Sequence, residues 1–172
     1  MKMTQNNFGL LYVMLVICQI ILCNFMHLGP YIMLTMLPVM VLCIPTGTGA
    51  VAAMIIAFFS GLSVDWISEG LLGLNAASLV PVALLRKPII RLFLGEDIII
   101  RNDSFSIRKN GLGKVSLALA TSITIFLFTY IFLDGAGSRP FWFCLARLAA
   151  SLACNIPLGI IVTRVLIPDE RK

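Results

Sequence analysis

Apolar residues run along this chain in long blocks, separated by short stretches rich in polar residues, glycine and proline. The blocks cover residues 8–26, 29–44, 48–66, 71–88, 115–133 and 141–166. A bilayer core about 30 Å thick takes about 20 helical residues to cross, and each block approaches that length. The pattern therefore predicts an all-α integral membrane protein, a bundle of six transmembrane helices forming one domain over residues 1–172. The second block stands apart, because Pro30, Pro38 and Pro45 lie in or beside it. Proline removes a backbone donor and kinks a helix, which packed neighbours tolerate in a membrane. A re-entrant or strongly bent segment there would reduce the count to five.

Composition points the same way. Hydrophobic residues make up 59% of the chain and charged ones only 12%, with a mean hydropathy of +1.00; soluble domains carry about twice that charge. The net charge of +5 would suit a nucleic-acid partner, but its distribution argues otherwise. With six spans and a cytoplasmic N-terminus, Lys2, Arg86, Lys87, Arg91, Arg101, Arg108, Lys109, Lys114, Arg164, Arg171 and Lys172 all fall on the cytoplasmic side. Arg139 alone lies outside and Arg147 falls within the last span, an asymmetry that follows the positive-inside rule. The expected placement is multi-pass in a membrane, with both termini cytoplasmic, a cytoplasmic loop over about 89–114 and no nucleic-acid partner. The first block leads into others without a small-residue cleavage site, so a retained helix is expected. Cys18, Cys23, Cys43, Cys144 and Cys154 sit in or at the edges of apolar blocks without CxxC spacing, where cysteine behaves as a small hydrophobe.

Two series of residues at i+4 spacing carry the candidate chemistry. In the third block, Gly49, Ala53, Ala57 and Gly61 form a ridge of small residues that ends at Asp65. Small residues let helix backbones approach closely in lipid, and Asp65 is either a fixed polar contact with another helix or a partner protein, or a helix-end aspartate in the headgroup zone, capping or solvated. The ridge serves either an external protein or internal packing. In the last block, Arg147, Ser151, Asn155, Gly159 and Thr163 form a polar series, read as an internal packing face. Arg147 lies at a depth where Asp65 can reach it, and an Asp65–Arg147 pair is expected. Gln19 adds an intramembrane polar group in the first block, with Asn24 and His27 as weaker signals. A lone histidine completes no metal site, no HExxH, GxSxG or P-loop motif is present, and Asp65 with Glu69 at i,i+4 lacks the surroundings that acid–base catalysis requires. Neither an enzyme nor a bound cofactor or metal is expected.

The stretch Phe58-Phe59-Ser60-Gly61-Leu62-Ser63-Val64-Asp65, followed by Leu72-Gly73-Leu74-Asn75-Ala76-Ala77-Ser78, resembles the signature of the rod-shape-determining MreD family. In that family an apolar helix ends in Gly-Leu-x-x-Asp, and a short loop with Leu-Gly and small residues opens the next helix. Gln19 and Asn155 also stand where the family places polar residues, and size and span number agree over essentially the whole chain. The resemblance implies a non-enzymatic subunit of the elongasome that acts with a bitopic MreC-like protein. Through it, the subunit would act with MreB, RodA and RodA's transpeptidase in sidewall peptidoglycan synthesis. It also implies a fold similar to the substrate-binding subunit of energy-coupling-factor transporters. Such a vitamin-binding subunit is the alternative reading of six short helices.

Overall fold

The computed structural model describes residues 5–25, 32–69, 72–96, 98, 111–135 and 140–167. They form helices joined by short connections, and no strand occurs among the described residues. Helix α1 is Gln5–Phe25 and α2 is Leu37–Leu42. Helix α3, Ala50–Val64, widens into one π-helical turn, Asp65–Glu69. Helices α4, α5 and α6 follow as Leu74–Leu94, Leu112–Gly135 and Phe141–Leu166. Four of these are long and apolar enough to cross a membrane: α1, α3 with its π turn, α5 and α6.

Helix α4 is different in character. Its 21 residues give about 31 Å of rise, enough to span, but Arg86, Lys87 and Arg91 crowd its second half. Pro81 and Pro88 lie inside it and cannot donate to the carbonyls of Ala77 and Leu84. The helix still continues past Pro88 to Leu94, so it takes up the first part of the connection expected as a loop over 89–114. Residues 97 and 99–110 of that connection, with Arg101, Arg108 and Lys109, lie outside the described residues.

The second apolar block is not a continuous helix. Residues 32–36 form no regular secondary structure, and only then does the six-residue α2 begin, with Pro38 in its first turn. That position suits proline, whose missing N–H would have had no helical partner there. Pro45 stands just beyond the other end, where the chain turns over 45–49 into α3. Two of the prolines thus bound a short helix. Pro30 lies outside the described residues, as does His27.

Every residue of α2 is buried, and α2 packs against α1, α3, α4, α5 and α6. It is the axis of the bundle. Its direction follows from its pairing with α6: Met33 meets Ser151, Thr35 meets Asn155, Val39 meets Gly159 and Cys43 meets Thr163. Residue numbers rise together in both partners, so the second segment runs parallel to α6. On the outside, Leu10, Met14, Ile17 and Ile21 of α1 and Phe128 and Phe132 of α5 are exposed. Apolar side chains over this much of the surface need lipid around them.

The largest helix–helix seam among the described residues joins α3 to α4, and Gly61 of the small-residue ridge lies in it. Ala53, Ala57 and Gly61 are buried, whereas Gly49 is exposed at the N-cap of α3. A Cβ placed on Gly61 would lie 2.6 Å from both N and Cα of Ala76, closer than any carbon approaches backbone. Only glycine fits this crossing. Gly61→Ala is expected to force the helices apart at a cost of about 1–3 kcal/mol, and Gly61→Leu to prevent folding, while Gly9→Ala, at an open position, should be neutral. Unfolding of the purified variants in detergent checks the order.

Candidate functional site

Buried polar residues come together at three places inside the bundle, two of them built from residues singled out in the sequence. The first is the non-helical stretch 32–36. An unwound backbone within hydrocarbon exposes N–H and C=O groups that each cost several kcal/mol if left without partners, and here side chains from two other helices supply the bonds. Gln19 of α1 accepts from the Met36 N–H (2.7 Å) and donates to the Leu34 carbonyl (3.2 Å). Asn155 of α6 accepts from the Thr35 N–H (2.8 Å) and donates to the Met33 carbonyl (2.7 Å). Ser151, one turn earlier, accepts from the Met33 N–H at 3.0 Å. Gln19, Ser151 and Asn155 are all at most 1% exposed. Asn24, by contrast, is exposed and bonds only to the carbonyl of Ile20 in its own helix.

The second place is the start of α4. Asp65 is fully buried, and its carboxylate accepts from the backbone N–H groups of Gly73 (3.0 Å), Asn75 (3.0 Å) and Ala76 (3.2 Å), and from Asn75 Nδ2 (2.9 Å). The first amides of a helix lack intrahelical partners and carry the positive end of its dipole. Gly73 is the N-cap of α4, with φ of +101° and no side chain to do the capping. Asp65, delivered from the end of α3, caps α4 instead. Gly73 has to be glycine for its left-handed backbone. Glu69, the other carboxylate of the i,i+4 pair, has its side chain outside the described residues.

The third place was not singled out in the sequence. Arg86 is only 1% exposed, and its Nη2 donates to the carbonyls of Ile44 (2.5 Å) and Pro45 (2.7 Å). It closes the C-terminal end of α2, where free carbonyls and the negative end of the helix dipole favour a cation. Charge counting assigns Arg86 to the cytoplasmic surface, yet the surrounding pattern marks it as buried. Leu79, Val82, Ala83, Ile89 and Ile90 share its face of α4, and all are buried.

The expected Asp65–Arg147 pair does not form. Every acceptor bond of Asp65 goes to α4, and Arg147 Nη1 instead donates to Asp134 Oδ2 at 2.7 Å, at the α5–α6 end of the bundle. Arg147 also lies over the ring of Tyr130, 5.9 Å from its centroid. Asp134 belongs to the last turn of α5. The remaining members of the polar series on α6, Ser151, Asn155, Gly159 and Thr163, are all buried against the second segment. The five cysteines are free thiols, and among the described residues no three His, Cys, Asp or Glu side chains gather as metal ligands do.

No family model matches the chain, and no curated protein or solved structure proved similar to it. Replacing Asn155 by Leu, which removes partners from Thr35 and Met33 at once, is expected to destabilise the folded protein by about 2–5 kcal/mol. Asn24→Leu should cost close to nothing. Reversible unfolding in mixed micelles measures both.

Proposed function

We propose that this chain is a non-enzymatic, MreD-like membrane subunit that packs beside a bitopic MreC-like protein and helps hold the cell-wall synthase during sidewall growth. One observation carries the reading: the two stretches that bear the resemblance close on each other as one unit. Gly61 lies against Ala76, and Asp65 caps the helix that Gly73, Leu74 and Asn75 open. The motif is thus a physical joint between two helices, with each of its marked residues in a defined role.

The proposal takes the second segment and α4 as crossings, which together with the four long apolar helices makes six. The parallel run of the second segment and α6 supports this, because segments two and six of an alternating bundle point the same way. Charge supports an orientation. Lys87 and Arg91 of α4, Lys114 of α5 and Arg164 of α6 lie toward the end of the bundle that holds the 45–49 turn, while Asp65 and Asp134 lie toward the other. By the positive-inside rule the basic end faces the cytoplasm of a bacterial inner membrane.

A transport subunit is the second reading, and the broken second segment favours it, since transporters build substrate sites at discontinuous helices. Against it stands the saturation of the break. The N–H groups of Met33, Thr35 and Met36 and the carbonyls of Met33 and Leu34 already bond to Gln19, Ser151 and Asn155.

Tagged purification from lightly cross-linked native membranes separates the two readings. Recovery of a bitopic protein together with cell-wall synthase components is expected. Recovery of a vitamin-sized solute with an ATPase module, and no bitopic partner, would overturn the proposal. Because Asp65 is an internal cap, Asp65→Ala should lower partner recovery only in proportion to the loss of folded protein.

A further inference from the structure

The basic end of α4 carries a feature that the internal contacts do not absorb. Lys87, Pro88, Arg91 and Leu92 line an open cleft of about 380 Å³ on the outer face of the helix. Lys87 and Arg91 are one turn apart at i,i+4 and project from the same side. Lys87 forms no hydrogen bond or ion pair among the described residues, although it is half-buried. Arg91 pairs with Glu96 at 3.0 Å, but both side chains are more than 60% exposed, so the pair is weak and easily exchanged. Pro88 and Leu92 supply apolar wall beside the two cations, and Leu92 is 76% exposed.

Depth identifies what this cleft meets. Arg86, the residue before Lys87, is level with the Ile44–Pro45 turn that ends the second segment. With α4 taken as a crossing, Lys87 and Arg91 sit where the bundle leaves the hydrocarbon, one turn beyond the exposed Leu84 and Leu85. Two cations above that apolar surface match the phosphate and the glycerol–acyl region of one phospholipid. A zwitterionic headgroup brings its own ammonium and is matched less well.

We infer that the Lys87–Arg91 cleft is a binding site for an anionic phospholipid, with its phosphate between the two side chains and its acyl chains running down the α4 face past Leu85 and Leu84. The site depends on the membrane placement of α4 and is independent of the cell-wall reading. An annular lipid held here fills the surface above the buried Arg86 and steadies the part of α4 where Pro88 interrupts the helical hydrogen bonds.

Native mass spectrometry of the full chain, released from nanodiscs of phosphatidylethanolamine with a minority of phosphatidylglycerol, tests the site. The parent protein is expected to retain phosphatidylglycerol above its share of the bilayer, and phosphatidylcholine should fail to displace it. In Lys87→Gln/Arg91→Gln the enrichment should fall by about tenfold, while Lys87→Arg/Arg91→Lys and the remote Arg164→Gln keep it. A thermal midpoint close to that of the parent shows the double variant folded; if it is not, the phosphatidylcholine competition and the charge-conserving variant still decide. Absence of enrichment in the parent, displacement by phosphatidylcholine, or an equal loss in Arg164→Gln would overturn the assignment.

Discussion

A break in a helix that runs through the middle of a membrane bundle leaves backbone groups that lipid cannot satisfy, and the rest of this structure is arranged around that constraint. Residues 32–36 bring non-helical backbone into the packed interior, and helices on both sides reach in to bond it. Gln19 and Asn155 each offer a donor and an acceptor, which is why an amide side chain serves here and an ionised carboxylate, which only accepts, would not. Their bonds fix α1 and α6 to the second segment at one depth. The consequence is mutual dependence: the break exists because the side chains are there, and the side chains are tolerated in lipid because the break uses them.

The same logic repeats at the two other exposed sets of backbone groups. Asp65 gathers the free amides at the start of α4, and Arg86 gathers the free carbonyls after α2. Asp65 thus meets the positive end of a helix, and Arg86 meets carbonyls of the turn just beyond one. Between them they join α3 to α4 at one end and α4 to the second segment at the other. Gly61 then lets the α3 and α4 backbones meet closely enough for Asp65 to reach. In the proposed role, a bundle tied together by internal bonds of this kind is suited to hold partners in a fixed geometry.

Much of this was legible in the sequence. Block length gave the helical membrane class, and the i+4 series on α6 marked the face that Ser151, Asn155, Gly159 and Thr163 bury. The proline pattern flagged the second block as irregular. What spacing lacked was the partner on the other side. Asp65 and Arg147 lie at similar depth and opposite charge, so pairing them is reasonable until the start of α4 is seen to occupy the carboxylate. Asp134, carried by the last turn of α5 just before the connection into α6, is the nearer partner for Arg147. Arg86 was missed for the converse reason. Topological counting treats every arginine near a span end as a surface charge, whereas its place on the apolar stripe of α4 marked it as interior. A backbone carbonyl leaves no trace in the sequence as the partner awaiting it.

The central claim is that the second segment is non-helical through Thr35 and helical only beyond Met36, with its backbone bonded by Gln19, Ser151 and Asn155. Backbone carbon chemical shifts at Met33, Leu34 and Thr35, measured by solid-state NMR on the protein in lipid bilayers, test it most directly. The account predicts non-helical shifts at these three residues and helical shifts over 37–42. Uninterrupted helical shifts from 32 through 42 would contradict it, because the three side chains would then have no backbone to bond.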